Sequence, residues 1–113
     1  MKVELLYIAE CANHPEAARM LRETLREYGF RDEVSEIEVT ESAQAQALTF
    51  IGSPSIRIDG KDIEPTLPEQ PHYGLSCRTY LVDGKLAGLP SLDMIRAAIC
   101  SGASLAHRES KER

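Results

Sequence analysis

The stretch ELLYIAECANHPEAARML, residues 4–21, decides the fold class because one hydrophobic period gives way to another within it. Val3, Leu5, Leu6, Tyr7 and Ile8 form a near-continuous apolar run, the pattern of a strand buried on both faces. Beyond it Ala17, Met20, Leu21, Leu25 and Tyr28 recur at helical spacing. Asn13 with Glu16 three residues on has the form of a capping box. Pro15 falls in the first turn, where its missing N–H costs little, and Gly29 supplies a stop. One cysteine, Cys11, stands where the strand pattern meets the helix pattern.

Working outward, residues 34–39 alternate as a half-exposed strand, expected parallel to the first because a helix separates them. A short helix is expected over 41–51, with Thr40 as cap and Gly52 as stop. SPSIRIDGKDIE, residues 53–64, reads as a strand, the hairpin dipeptide Asp59-Gly60 and a return strand through Ile63. Pro65, Pro68, Pro71 and Gly74 mark residues 65–76 as a Pro-rich loop. Residues 77–82 suit another strand, turned by Asp83-Gly84. Ser91 caps a last helix carrying Leu92, Ile95, Ala98 and Ile99, with Gly102 as its end. Residues 103–113 are polar and aperiodic and read as a disordered tail, leaving one domain over 1–102.

Across the 113 residues, 42% are hydrophobic and 27% charged, the balance of a packed globular chain. A net charge of −5 argues against nucleic acid as partner, since phosphate binding requires a basic face. The N-terminal run is too short and, with Glu4, too charged for a signal peptide or membrane span, so a cytoplasmic protein with no membrane partner is expected. Three cysteines, Cys11, Cys77 and Cys100, cannot all pair within one chain.

The order strand, helix, strand, helix, strand, strand, helix, with a cysteine at the first strand–helix junction and a proline opening the third strand, resembles the thioredoxin-like fold. IGSPSIRIDGKDI resembles the glutaredoxin segment in which a cis-proline precedes a strand, a tight turn and a short return strand. Cys11-Ala12-Asn13, Gly52-Ser53-Pro54 with Ile56, and Tyr73-Gly74-Leu75-Ser76-Cys77-Arg78 together resemble small bacterial thioredoxin-like proteins of uncertain function, some loosely labelled alkylmercury-lyase-like. The resemblance covers roughly residues 1–100. It implies an α/β fold with a four-stranded mixed sheet, flanking helices and an inserted Pro-rich loop, thiol–disulfide exchange with a protein or low-molecular-weight thiol or disulfide, and no bound cofactor. It also implies that a cis Pro54 turns the Ser53 backbone towards the cysteine-bearing helix end, where thioredoxin-like proteins pair with an extended substrate segment. The chain departs from the family in one respect: His14 stands where Cys-x-x-Cys places its second thiol.

A cysteine at a helix start lies near unpaired backbone N–H groups and the positive end of the helix dipole, both of which favour thiolate. Cys11 fits that placement, and His14 can face it across the first turn and donate a hydrogen bond. Glu10 acts in the opposite sense. The alternative for Cys11 is a small buried apolar side chain, and for His14 a solvated surface residue. Pro54 is either cis or an ordinary trans proline at a strand start. Cys77 is either a resolving thiol brought to Cys11 by the Pro-rich loop or a cysteine packed beneath that loop, and a disulfide between them requires Cα atoms within about 7 Å. Cys11 and Cys77, with His14 and His72, also form a set of soft ligands for a metal ion or mercurial, although Cys-x-x-His alone is a weak metal signal. Asp59, Asp62 and Glu64 read as a solvated acidic hairpin. A third reading is a redox-inactive scaffold that serves protein contact.

Overall fold

The computed structural model describes residues 1–30, 34–64 and 72–111, with side chains through Ser101. Its core is a four-stranded mixed sheet in the order β2-β1-β3-β4, built from β1 (Val3–Tyr7), β2 (Val34–Glu38), β3 (Ser55–Ile58) and β4 (Lys61–Asp62). β1 runs parallel to β2, with Leu5 opposite Glu36, and antiparallel to β3, with Leu5 opposite Ile56. β5 (Tyr80–Val82) and β6 (Lys85–Ala87) form a separate hairpin.

The unbroken apolar run of β1 is explained by helices on both faces. Val3 and Leu5 join a cluster with Ala17, Met20, Leu21 and Leu25 of α1 (His14–Glu27) and Ile95 and Ile99 of α3 (Leu92–Lys111). Leu6 and Ile8 point the other way, into a smaller cluster with Val39, Ala45 of α2 (Ser42–Ala47), Phe50 and Cys11. Alternate side chains of one strand thus serve two cores. Leu5 and Leu6 are at most 1% exposed, and burying each contributes about 1.5–3 kcal/mol.

Local chemistry sets the turns. Asp59 and Gly60 (φ +52° and +82°) and Asp83 and Gly84 (φ +51° and +77°) place two successive residues in the left-handed region, as a two-residue hairpin with right-twisted strands requires. α1 ends at Gly29, φ +77°. The N–H of Phe30 bonds the Leu25 carbonyl at 2.9 Å and the N–H of Gly29 that of Arg26 at 3.0 Å, returning Phe30 to the core. Ser91 Oγ accepts the Met94 N–H at 3.1 Å, the expected cap of α3.

Four expectations are corrected. The capping box at Asn13 does not form: Asn13 has helical φ and ψ and makes no side-chain cap, while Glu16 turns to Arg19 through two 2.6 Å bonds. α2 is shorter than 41–51 and starts after Glu41, because Thr49 at φ +50° closes it through a 2.9 Å bond from the Phe50 N–H to the Ala45 carbonyl. Thr40 instead donates its N–H to Gln44 Oε1. The strand expected over 77–82 begins only at Tyr80, with Cys77 in an isolated bridge before it. α3 runs through Gly102 to Lys111 rather than ending there, so helical backbone continues into the segment read as a tail. A single helical glycine costs about 1 kcal/mol, and the Ala, Leu, Lys, Glu and Arg around it favour helix. Most of the Pro-rich loop, residues 65–71, lies outside the described residues.

Candidate functional site

Three segments meet at the carboxyl end of β1. In the first, the N–H of Cys11 bonds the Ile8 carbonyl at 3.1 Å and the Cys11 carbonyl accepts the His14 N–H at 3.4 Å, forming the turn that leads into α1. Cys11 is 7% exposed and packs in the apolar cluster of Leu6, Ile8, Val39, Ala45 and Phe50. It therefore combines the helix-start position of a reactive thiol with the surroundings of a packed one.

The second segment is Gly52-Ser53-Pro54. The Ser53–Pro54 peptide is cis, and Gly52 sits at φ +135°. Ser53 is buried, and its Oγ accepts the Ile8 N–H at 3.1 Å, fixing this turn against the residue that also bonds Cys11. The third segment is Ser76-Cys77-Arg78. It lies parallel to Ser53: the Ser53 N–H bonds the Ser76 carbonyl at 2.8 Å, and the Arg78 N–H bonds the Ser53 carbonyl at 3.1 Å. Cys77 is exposed, and all three cysteines are free thiols. The structure thus joins Ser53 and Pro54 to the Cys11 turn on one side and to the Cys77 segment on the other.

Arg78 anchors the third segment. With its side chain 5% exposed, it donates to Asp62 at 2.6 Å, to Glu64 at 3.1 Å and to Ser55 Oγ at 3.3 Å, and its guanidinium lies 4.0 Å from the centre of the Tyr80 ring. Burial pulls the Arg78 pKa down, but the hydrogen bond to Asp62 and the surrounding negative charge outweigh it and hold the pKa above its ordinary value. Tyr80 donates its hydroxyl to the Pro54 carbonyl at 2.6 Å, and burial pushes its own pKa up. Glu64 accepts the Leu81 N–H at 2.9 Å. Asp62 and Glu64, with side chains 7% and 14% exposed, are therefore not the solvated acidic hairpin expected from the sequence. They neutralise the buried Arg78, which in the sequence stands only as the last residue of the Tyr73–Arg78 motif. Asp59 alone of the three serves the turn, accepting the Lys2 N–H at 2.7 Å.

His14 is also placed differently from expectation. Its ring stacks on Tyr7, with centroids 3.7 Å apart and planes 4° from parallel, and Nε2 meets Glu36 Oε1 at 2.6 Å. Among the described residues it makes no hydrogen bond to the Cys11 thiol. Glu36 also accepts Arg22 at 2.6 Å, and Arg22 first, then His14, hold its carboxyl below the usual carboxylate range. Tyr7, Glu36, Arg78 and Tyr80 were not singled out as site residues. Only the outward position of Glu36 in an alternating strand hinted at a charge available to α1.

Among the described residues no group of three or more His, Cys, Asp or Glu could hold a metal ion, so His14 and His72 do not join Cys11 and Cys77 in such a group. Nor is any described helix long and apolar enough to cross a membrane. An open apolar groove of about 590 Å³ lies between the β3–β4 hairpin and α3, lined by Ile58, Ile63, Met94 and Ala98, and none of Cys11, Ser53, Pro54 or Cys77 borders it.

Fold and site thus define a small mixed α/β protein whose cysteine-bearing turn, cis-proline turn and Cys77 segment converge at one sheet end. The chain belongs to the family described as a domain of unknown function (DUF2703), which it matches over residues 11–99, a span that begins at Cys11 and includes the Gly52–Pro54 and Ser76–Arg78 segments. No curated protein and no solved structure matches it.

Proposed function

We propose that the protein is a thioredoxin-like thiol–disulfide exchange protein in which Cys11 is the nucleophile and Cys77 the resolving thiol. The observation that carries this reading is the continuous hydrogen-bonded link from the Cys11 turn through Ile8 and Ser53 to the backbone at Cys77, beside a cis-proline. In the reaction the Cys11 thiolate attacks one sulfur of a substrate disulfide, the S–S bond breaks, and the other sulfur leaves as a thiolate. Cys77 then attacks the Cys11 sulfur, releasing the second thiolate and leaving a Cys11–Cys77 disulfide. The substrate is thereby reduced by the two electrons that the cysteine pair loses, and an external low-molecular-weight thiol returns the pair to its starting state. His14, held by Tyr7 and Glu36, orients the first turn of α1 beneath Cys11.

Intact mass and thiol counting after mild oxidation, in wild type and in Cys11→Ser and Cys77→Ser, test the scheme. An intramolecular disulfide that forms in wild type and in neither variant is expected. Two thiols that stay free refute the pairing. The apolar surroundings of Cys11 favour one competing reading, a scaffold without redox chemistry, under which Cys11→Ser changes no exchange rate.

A further inference from the structure

Cys11, a residue only 7% exposed, is more readily reached by a small reagent than by a disulfide embedded in a polypeptide, unless the polypeptide can lie along the neighbouring backbone. Main-chain hydrogen bonds to an unpaired edge would offset the cost of ordering such a segment. Among the described residues, the Ile8 and Ser53 backbone beside Cys11 offers no such edge. Ile8 spends its N–H on Ser53 Oγ and its carbonyl on the Cys11 N–H. Ser53 spends its N–H on Ser76 and its carbonyl on Arg78. The occupant of the Ser53 edge is the chain's own segment 76–78.

That occupant is firmly held. Arg78 is tied to Asp62 and Glu64 in the interior, and Tyr80 and Leu81 are bonded to Pro54 and Glu64. Gly52 is packed so closely that a Cβ there would lie 2.7 Å from Arg78 Cβ. An extended peptide would have to break both backbone bonds of Ser53 and displace a buried arginine, whereas a small disulfide need only reach the Cys11 sulfur.

We propose that segment 76–78, anchored by Arg78, closes the Ser53 edge and thereby restricts Cys11 to low-molecular-weight disulfides, excluding disulfides carried in extended polypeptides. The inference rests on the exchange activity proposed above and adds its substrate class. Arg78 is a positioning residue in this arrangement: it acts on substrate choice through the segment it holds.

The test measures the rate of mixed-disulfide formation at Cys11, located by peptide mass, in the full chain carrying Cys77→Ser, which leaves the backbone bonds to Ser53 in place. The two reagents are hydroxyethyl disulfide and a disulfide-linked pair of extended peptides, each rate normalised to that of free cysteine with the same reagent. Normalised reaction with the small disulfide is expected to be about tenfold faster, the order of discrimination that two backbone hydrogen bonds carry. Adding Arg78→Met should bring the two rates within about a factor of three by raising the peptide rate alone, a selectivity change that a general loss of packing would not produce. Arg78→Met with Asp62→Asn and Glu64→Gln, which removes the unpaired charges, serves if the single substitution prevents folding. Equal normalised rates in the starting protein, or unchanged selectivity in a folded Arg78 variant, overturn the inference while leaving the exchange reading intact. A Cys11 inert to both reagents overturns the exchange reading and the inference with it.

Discussion

Replacing Arg78 by Met tests the anchor directly, because Met keeps apolar volume over the Tyr80 ring and removes only the guanidinium. In wild type that group bonds Asp62 at 2.6 Å and Glu64 at 3.1 Å, with all three side chains at most 14% exposed. Without it, Asp62 keeps the Glu64 N–H and Glu64 keeps the Leu81 N–H, each at 2.9 Å, but two buried carboxylates lose their counter-charge. Breaking a buried pair by removing one partner costs about 3–5 kcal/mol, and the surviving hydrogen bonds put the expected loss near the lower end. For a domain whose total stability is about 5–15 kcal/mol, that loss moves the urea midpoint well down with little change in slope. Adding Asp62→Asn and Glu64→Gln removes the unpaired charge and should recover most of the loss, since a neutral buried group is far cheaper to desolvate than an ion. Far-UV circular dichroism in urea at neutral pH measures both. If Arg78→Met costs less than about 1 kcal/mol, or the triple variant is no more stable than the single, the anchor is not energetically coupled as argued.

Two further outcomes follow from the geometry. Glu36→Gln should destabilise the fold by about 0.5–1 kcal/mol at pH 7, the worth of a partly exposed ion pair with Arg22. Because the folded-state pKa of Glu36 is lowered from 4.5, its contribution is complete above that value and lost as pH falls through the lowered one. The gap between wild type and variant should therefore close as pH falls below the ordinary carboxylate range, and a pH-independent gap counts against the pairing. Gly52→Ala should cost more than Gly60→Ala. Both have positive φ, but a Cβ at Gly52 meets Arg78 whereas one at Gly60 meets nothing within 4 Å, so costs of about 3 and about 1 kcal/mol are expected. Equal losses in paired urea titrations would remove the close contact from the account of the site.

What could be read from the sequence divides by the range of the interaction that causes it. The doubly buried β1, the parallel β2 and the two Asp-Gly turns follow from periodicity and φ preference over a few residues, and the structure has them. The four-stranded mixed sheet follows from those elements in order. Arg78 shows the opposite case. Its partners stand 14 and 16 residues earlier, on a hairpin whose charges read locally as solvated, and only the return of the chain past β4 turns them into a buried network. His14 is similar: the first-turn position suggested Cys11 as its neighbour, but Glu36 of β2 lies within reach and offers a charged acceptor, a stronger partner than a thiol. The separation of Cys77 from Cys11 along the chain carried no information about their separation in space. The relation runs through one serine, whose hydroxyl bonds the strand that ends before Cys11 and whose backbone bonds the residues on either side of Cys77. A single serine, with a neighbouring N–H that needs an acceptor on one side and a backbone edge to pair on the other, is enough to bring two distant cysteine-bearing segments to one end of a sheet, and no pattern confined to either cysteine's own neighbourhood records it.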